Sequence, residues 1–328
     1  MDVGAGVTPF HTDADATIRL AVAAERLGYA RFGTAEGWTH DAVVLLTQIA
    51  GVTSRIGLAT TVLPVWSRTP GAIAMAAASL QRASGGRFSL GLGASSPPLV
   101  EGLHGLVWRE PVTRMRGTLV TVRALLDGGR LPLEREGVRA LRLGAAPGAR
   151  VPILLAALAP ASIRLAGELA DDWLPFLWAR SRVPDGRALL AEGEARAEDP
   201  SATRVSASVP LAIGPDEETS RRIAAGWLLA YLTRMGPLYP RVLRDGFGFA
   251  REVEALLAAN EDGGPPQLPP AAEPLAREVT LMGSYDEAGE AVAGWLEAGA
   301  DSVELVLPLG LPEQQLEEML DAAAPAPA

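Results

Sequence analysis

The sequence predicts an α/β fold, a single (β/α)8 barrel of the TIM type carrying loop insertions. Three observations predict it. Eight short apolar runs are spaced along the chain, longer amphipathic stretches separate them, and 328 residues at 48% hydrophobic composition suffice for one barrel with insertions.

The units follow in order. VGAGV (3–7) precedes a helix over about 13–27, and ARFGTA (30–35) precedes one over 41–52. IGLATTVL (56–63) leads to a helix over 70–83, and FSLGLG (88–93), after a loop, to one over 112–126. PILLAA (152–157) precedes a helix over 161–170, WLPFLW (173–178) one over 184–197, and RVSASVPLAI (204–213) one over 216–232. DSVELVL (301–307) is the eighth run, and the helix before it opens on Ser284 with Glu287 three residues on, the spacing of a capping box. Residues 94–111, 128–150 and 233–280 break the alternation and read as insertions in a barrel spanning 1–321, while AAAPAPA (322–328) has the composition of a disordered tail.

Composition narrows the chemistry. With no cysteine there is no disulfide, thiol nucleophile or zinc–thiolate site. All 29 basic residues are arginine, which removes Schiff-base and P-loop lysines. The three histidines, His11, His40 and His104, are too far apart to form a helical metal pair, so no metal is expected. A net charge of −10 without an arginine cluster argues against nucleic acid or an anionic membrane as partner. No apolar stretch reaches the ~18 residues of a membrane helix, and MDVGAGVTPF lacks the form of a signal peptide, so a cytoplasmic protein acting on a small molecule is expected.

In such a barrel, chemistry sits where the strands end. Glu36, Trp38 and His40 follow the second run, Thr61 and Val62 end the third, and Ser95 and Ser96 follow the fourth. Ala157, Leu158 and Ala159 follow the fifth, and Trp178 and Arg180 end the sixth. His40 is a candidate proton donor, imidazole being suited to general acid work near neutral pH, or a solvated residue at a helix start. Glu36 is a candidate acid or a hydrogen-bonded structural carboxylate. GLGASS (91–96) has the first two glycines of a dinucleotide fingerprint but Ser96 in place of the third, and it does not lie in a first βα unit, so it reads as an adapted turn at a strand end.

The stretch TSRIGLATTVLPVWSRTPGAIAMAAASLQRASGGRFSLGLGASSPPLVEGLHG (53–105), with 20–58, 151–177 and 281–308, resembles the luciferase-like flavin and deazaflavin oxidoreductases. The branch it is most similar to uses coenzyme F420 and includes the methylene-tetrahydromethanopterin reductases. The resemblance implies an isoalloxazine-type ring at the barrel mouth, backed by a bulge at Thr61–Val62 and lined by Ser95 and Ser96. It implies a cofactor phosphate near Ala157–Leu158–Ala159, where many relatives have glycine, with Arg180 supplying positive charge. Trp38, Trp66, His104 and Trp178 are candidate substrate contacts, each equally able to pack a loop. Ser96 stands where some relatives carry a catalytic glutamate, which argues against sugar-phosphate oxidation. The expected activity is hydride transfer between F420 and a small organic substrate with a C=O, C=N or activated C=C bond. The alternatives are an FMN-dependent monooxygenase and a cofactor-free barrel with a binding or assembly role. Relatives commonly form homodimers through early helices, and GAIAMAAASL (71–80) is compatible with that.

Overall fold

Strands buried on both faces need helices on the outside and a closed ring inside. That is the architecture of the computed structural model, which describes residues 2–132, 136–198 and 201–326. The first half runs β1 (Val3–Val7), α1 (Ala14–Arg26), β2 (Arg31–Thr34), α2 (Ala42–Val52), β3 (Gly57–Thr60), β4 (Leu63–Pro64), α3 (Pro70–Ala83) and β5 (Phe88–Gly93). Then come α4 (Pro97–Gly102), α5 (Pro111–Leu126), β6 (Ile153–Ala156), α6 (Pro160–Leu169), β7 (Asp172–Trp173), α7 (Val183–Glu194) and β8 (Arg204–Gly214). The remainder is α8 (Glu217–Arg234), α9 (Leu238–Arg241), α10 (Ala250–Ala258), α11 (Glu273–Val279), β9 (Leu281–Ser284), α12 (Ala288–Glu297), β10 (Ser302–Leu307) and α13 (Glu313–Ala322).

All pairings are parallel. The ring runs β1, β2, β3, β5, β6, β7, β8 and β10, and it closes where β10 pairs both β8 and β1. β8 outruns its partner: Ser206–Pro210 face β10, and Leu211–Gly214 go on to pair β9. β9 is a strand that the apolar runs did not reveal. Ser284 and Glu287 do interact, since the Glu287 carboxylate accepts from the Ser284 amide at 2.8 Å, but the helix starts only at Ala288. The 233–280 insertion is helical, built of α9, a π turn at Val242–Gly246, α10 and α11. Residues 128–150 carry no helix or strand among the described residues, and 133–135 lie outside those. The terminal segment contributes α13, whose Leu316, Met319 and Leu320 are buried.

Two expected strands come out differently. The third is split by a cis peptide bond at Thr61–Val62. Leu58 faces Phe88 whereas Leu63 faces Leu92, so the split strand holds one residue more than its partner, which is a bulge. The sixth, expected over 173–178, pairs only at Asp172–Trp173 and through an isolated bridge from Phe176 to Ser208. Pro175 has no amide to donate, and Leu177 turns the chain with φ +54°.

Candidate functional site

The strand ends and the loops beyond them enclose a cavity of about 400 Å³, within the range of small-molecule sites. Its floor is the bulge. The Thr61 amide donates to Thr34 O at 2.8 Å, and the Glu36 amide donates to Val62 O at 3.1 Å. Where the ladder to β5 is interrupted, the Thr60 hydroxyl substitutes: it accepts from the Gly91 amide and donates to the Gly91 carbonyl, both at 2.8 Å. The glycines of GLGASS serve this junction. A Cβ on Gly91 would lie 1.9 Å from Thr60 O, and one on Gly93 would lie 2.7 Å from Val62 Cγ2. They are glycine because a neighbouring strand passes too close for a side chain.

Beyond β5 the chain turns at Ser95, φ +68°, and Ser96 leads into α4 without directing its hydroxyl to that helix. Both serines line the cavity, and neither hydroxyl has a hydrogen-bond partner among the described residues. Across from them Ala157, Leu158 and Ala159 lead into α6, whose first turn has Pro160 at its start and no side-chain cap. α1, α2, α3 and α8 are capped by Asp13, Asp41, Thr69 and Asp216, whereas α4, α5, α7 and α9 to α13 start without a side-chain cap as α6 does. Pro160 has no amide N–H and the Ser162 amide turns back to Ala159 O at 2.9 Å, so what α6 brings to the cavity is the positive end of a helix dipole.

Glu36 is the one carboxylate among the lining residues. Arg68 clamps it, with Nη1 2.5 Å from Oε1 and Nη2 2.8 Å from Oε2, and the Ala42 amide donates to it at 3.2 Å. Arg68 also reaches Asp41 at 2.5 Å. The hydrogen bond to Glu36, and the Glu36 and Asp41 charges, hold the guanidinium above its ordinary pKa despite partial burial. Both Glu36 oxygens are thus occupied as acceptors.

The fourth wall lies above β8. Phe176, Tyr231 and Tyr239 meet there, with Tyr231 4.7 Å from Phe176 and 4.9 Å from Tyr239 between ring centroids. Burial raises the pKa of both tyrosines well above that of free phenol, so they remain hydroxyl donors. The sequence reading missed this wall.

Of the predicted site residues, Glu36, Trp38, Thr61, Val62, Ser95, Ser96, Ala157, Leu158 and Ala159 line the cavity together. The other five stand elsewhere. The His40 ring bonds Thr12 O at 3.0 Å at the protein surface, outside the lining that Trp38 of the same loop joins. Arg180 leaves the barrel after the Leu177 turn and lies over Gly294 of α12, so it brings no charge to α6. Trp178 turns with it and packs edge-on against Trp173 and Phe247. Trp66 stacks behind Trp108 at 5.6 Å, under Arg114, and it is Trp108 that reaches the cavity. His104, past α4, is not among the lining residues, and its buried Nε2 has no partner. Among the described residues no helix is long and apolar enough to cross a membrane.

The family described as luciferase-like monooxygenase matches residues 2–302. A Mycobacterium tuberculosis protein named "Putative coenzyme F420-dependent oxidoreductase" is 31% identical over 322 residues, covering 90% of this chain and 91% of that one. The 5,10-methylenetetrahydromethanopterin reductase of Archaeoglobus fulgidus is 29% identical over 208 residues, 61% of this chain and 59% of its own length. Among solved structures, the coenzyme F420-dependent tetrahydromethanopterin reductase of Methanopyrus kandleri superposes with a TM-score of 0.78 at 20% identity, each chain covered to 98%. The chain belongs to the luciferase-like monooxygenase family.

Proposed function

We propose that this luciferase-like protein is an F420-dependent oxidoreductase that exchanges a hydride between the deazaflavin and a C=O, C=N or activated C=C bond of a small organic substrate. One observation carries the reading: a single cavity joins a bulge able to back a flat ring with an uncapped helix N-terminus able to take a phosphate. The donor set fits such a cofactor, since the lining offers hydroxyls at Ser95 and Ser96 and the positive end of α6. The fit lacks a cation at α6, where Leu158 stands. The named relative over nine-tenths of the chain supports F420 over FMN.

When bound, the deazaflavin supplies the hydride. The protein positions. Thr61 and Val62 would back the ring, Ser95 and Ser96 would offer it hydrogen bonds, and the α6 turn would take the phosphate. Arg68 keeps Glu36 fixed at the rim, and the apolar walls limit water at the reacting atoms.

The test is a titration of the purified protein with F420 and, separately, FMN, followed by tryptophan fluorescence. Micromolar F420 binding with weak FMN binding is expected. FMN preference would move the protein to the monooxygenase chemistry of its family, and binding of neither would favour a non-catalytic role.

We also propose a homodimer. α2 contains no charged residue, and with α3 it exposes Val44, Val52 and Met75, each more than half accessible, in a chain of net charge −10. Light scattering should return about twice the 34.3 kDa chain mass, and a concentration-independent monomer would remove the idea.

A further inference from the structure

The cavity has two unlike sides. The bulge lies on the third strand of the ring, and β8, the seventh, stands four strands away, across the barrel. Above β8 the wall is mostly aromatic and aliphatic, formed by Phe176, Tyr231, Met235, Leu238 and Tyr239, with Arg241 of the same segment also lining the cavity. Tyr231 is 5% exposed. Its ring is boxed by Phe176, Tyr239, Phe10 and Trp227, at 4.7, 4.9, 6.1 and 6.1 Å between centroids. A ring so enclosed keeps one orientation, and its hydroxyl becomes a fixed point.

Neither the Tyr231 nor the Tyr239 hydroxyl has a hydrogen-bond partner among the described residues, although both side chains line the cavity. Tyr29, buried elsewhere, gives its hydroxyl to Leu320 O at 2.8 Å. Neither hydroxyl oxygen is sealed from the cavity, so both are open to an acceptor brought into it. No acidic side chain stands on this wall to receive a cation. Glu36, the one lining carboxylate, is committed to Arg68. The lining side chains that are large, apolar and exposed are Trp38 and Leu238, 52% and 37% accessible. Trp38 packs on Phe10 at 5.0 Å, which continues the aromatic row from Tyr231 out to the surface.

We infer that the substrate side of this cavity takes an apolar carbonyl compound, its oxygen received by the Tyr231 hydroxyl with Tyr239 beside it and its hydrocarbon part running past Phe176 and Met235 toward Leu238 and Trp38. The inference rests on the deazaflavin reading, which assigns the bulge side to the ring and leaves this side for the substrate. Amines are disfavoured, because the lining offers no free carboxylate and its one cation, Arg241, is exposed.

The experiment titrates the full-length protein with straight-chain 2-alkanones, from 2-pentanone to 2-nonanone, following tryptophan fluorescence, with a separate F420 titration of each variant. The association constant is expected to rise roughly fourfold for each added methylene. Tyr231→Phe should weaken every ketone roughly fivefold without changing that increment, Tyr239→Phe should do so less, and both should bind F420 like the parent. Affinity that ignores chain length overturns the inference, as does a Tyr231→Phe protein that binds ketones like the parent or one that loses F420. Length-dependent ketone binding without F420 binding would overturn the cofactor reading and leave the carbonyl site standing. F420 binding without the ketone pattern would do the reverse.

Discussion

The two ends of the barrel interior treat their polar groups in opposite ways. At the N-terminal end of the strands, Arg31, Asp172, Ser206, Ser302 and Glu304 bind one another, leaving Arg31 Nε, Asp172 Oδ1 and Glu304 Oε2 buried without a partner among the described residues. Arg31 holds Glu304 at 2.5 Å, and Ser206 joins Asp172 at 2.8 Å and Ser302 at 2.7 Å. At the C-terminal end, the hydroxyls of Ser95, Ser96, Ser208, Tyr231 and Tyr239 line a cavity and have no partner among the described residues. A polar group at the first end belongs to the fold, and one at the second is available to a ligand. The same kind of conservative substitution should therefore act on stability at the floor and on binding at the mouth.

The sharpest break in that comparison comes from Arg31→Met. It strands two buried carboxylates and should cost about 3–5 kcal/mol, read from the midpoint of urea unfolding. Asp172→Asn tests the same floor with the opposite sign. Burial pushes the Asp172 carboxyl up to about 6 from 3.8, against the pull of Arg31 and Ser206. The folded state thus keeps a proton that the unfolded chain has released. The resulting stabilisation is complete below about pH 3.8 and is lost as pH rises to about 6. The asparagine variant should gain on the parent across that window, reaching about 3 kcal/mol at pH 7. A difference that does not change with pH would contradict this.

At the mouth the effects shrink. Arg68→Met uncouples Glu36 and Asp41 at a half-exposed rim and should cost about 1–2 kcal/mol in the same unfolding assay. Tyr231→Phe and Ser96→Ala remove hydroxyls without protein partners, and each should change stability by less than about 0.5 kcal/mol. A large loss from either would mean that the mouth is structural after all.

Legibility in the sequence divides along the same line. Strands buried on both faces are apolar runs, and six of the eight ring positions could be read nearly to the residue from them. The bulge could not be read that way, because nothing in TTVLP announces an extra residue, and only the family resemblance pointed to its place. β9 escaped because LMGS is too short to stand out and is held by the overhang of β8. Gly91 and Gly93 looked like turn glycines, whereas their role is the close passage of strand three, a tertiary fact. His40 and Arg180 were singled out for following a strand, but a strand end fixes the level in the barrel and not the direction of a side chain. The Tyr231 wall was hidden because α8 is buried around much of its girth, with Trp227, Leu228, Tyr231 and Leu232 all inside. No single stripe marks the tyrosine that faces the cavity.

The most direct measurement is amide hydrogen exchange of the whole protein with and without saturating F420. Protection should concentrate at Leu158–Ser162, at Gly93–Ser96 and around Thr61–Val62, and amides near the floor at Arg31 and Glu304 should change only through global stabilisation. F420-dependent protection confined to another face, with Leu158–Ser162 unchanged, would contradict the assignment of the cavity as the cofactor site.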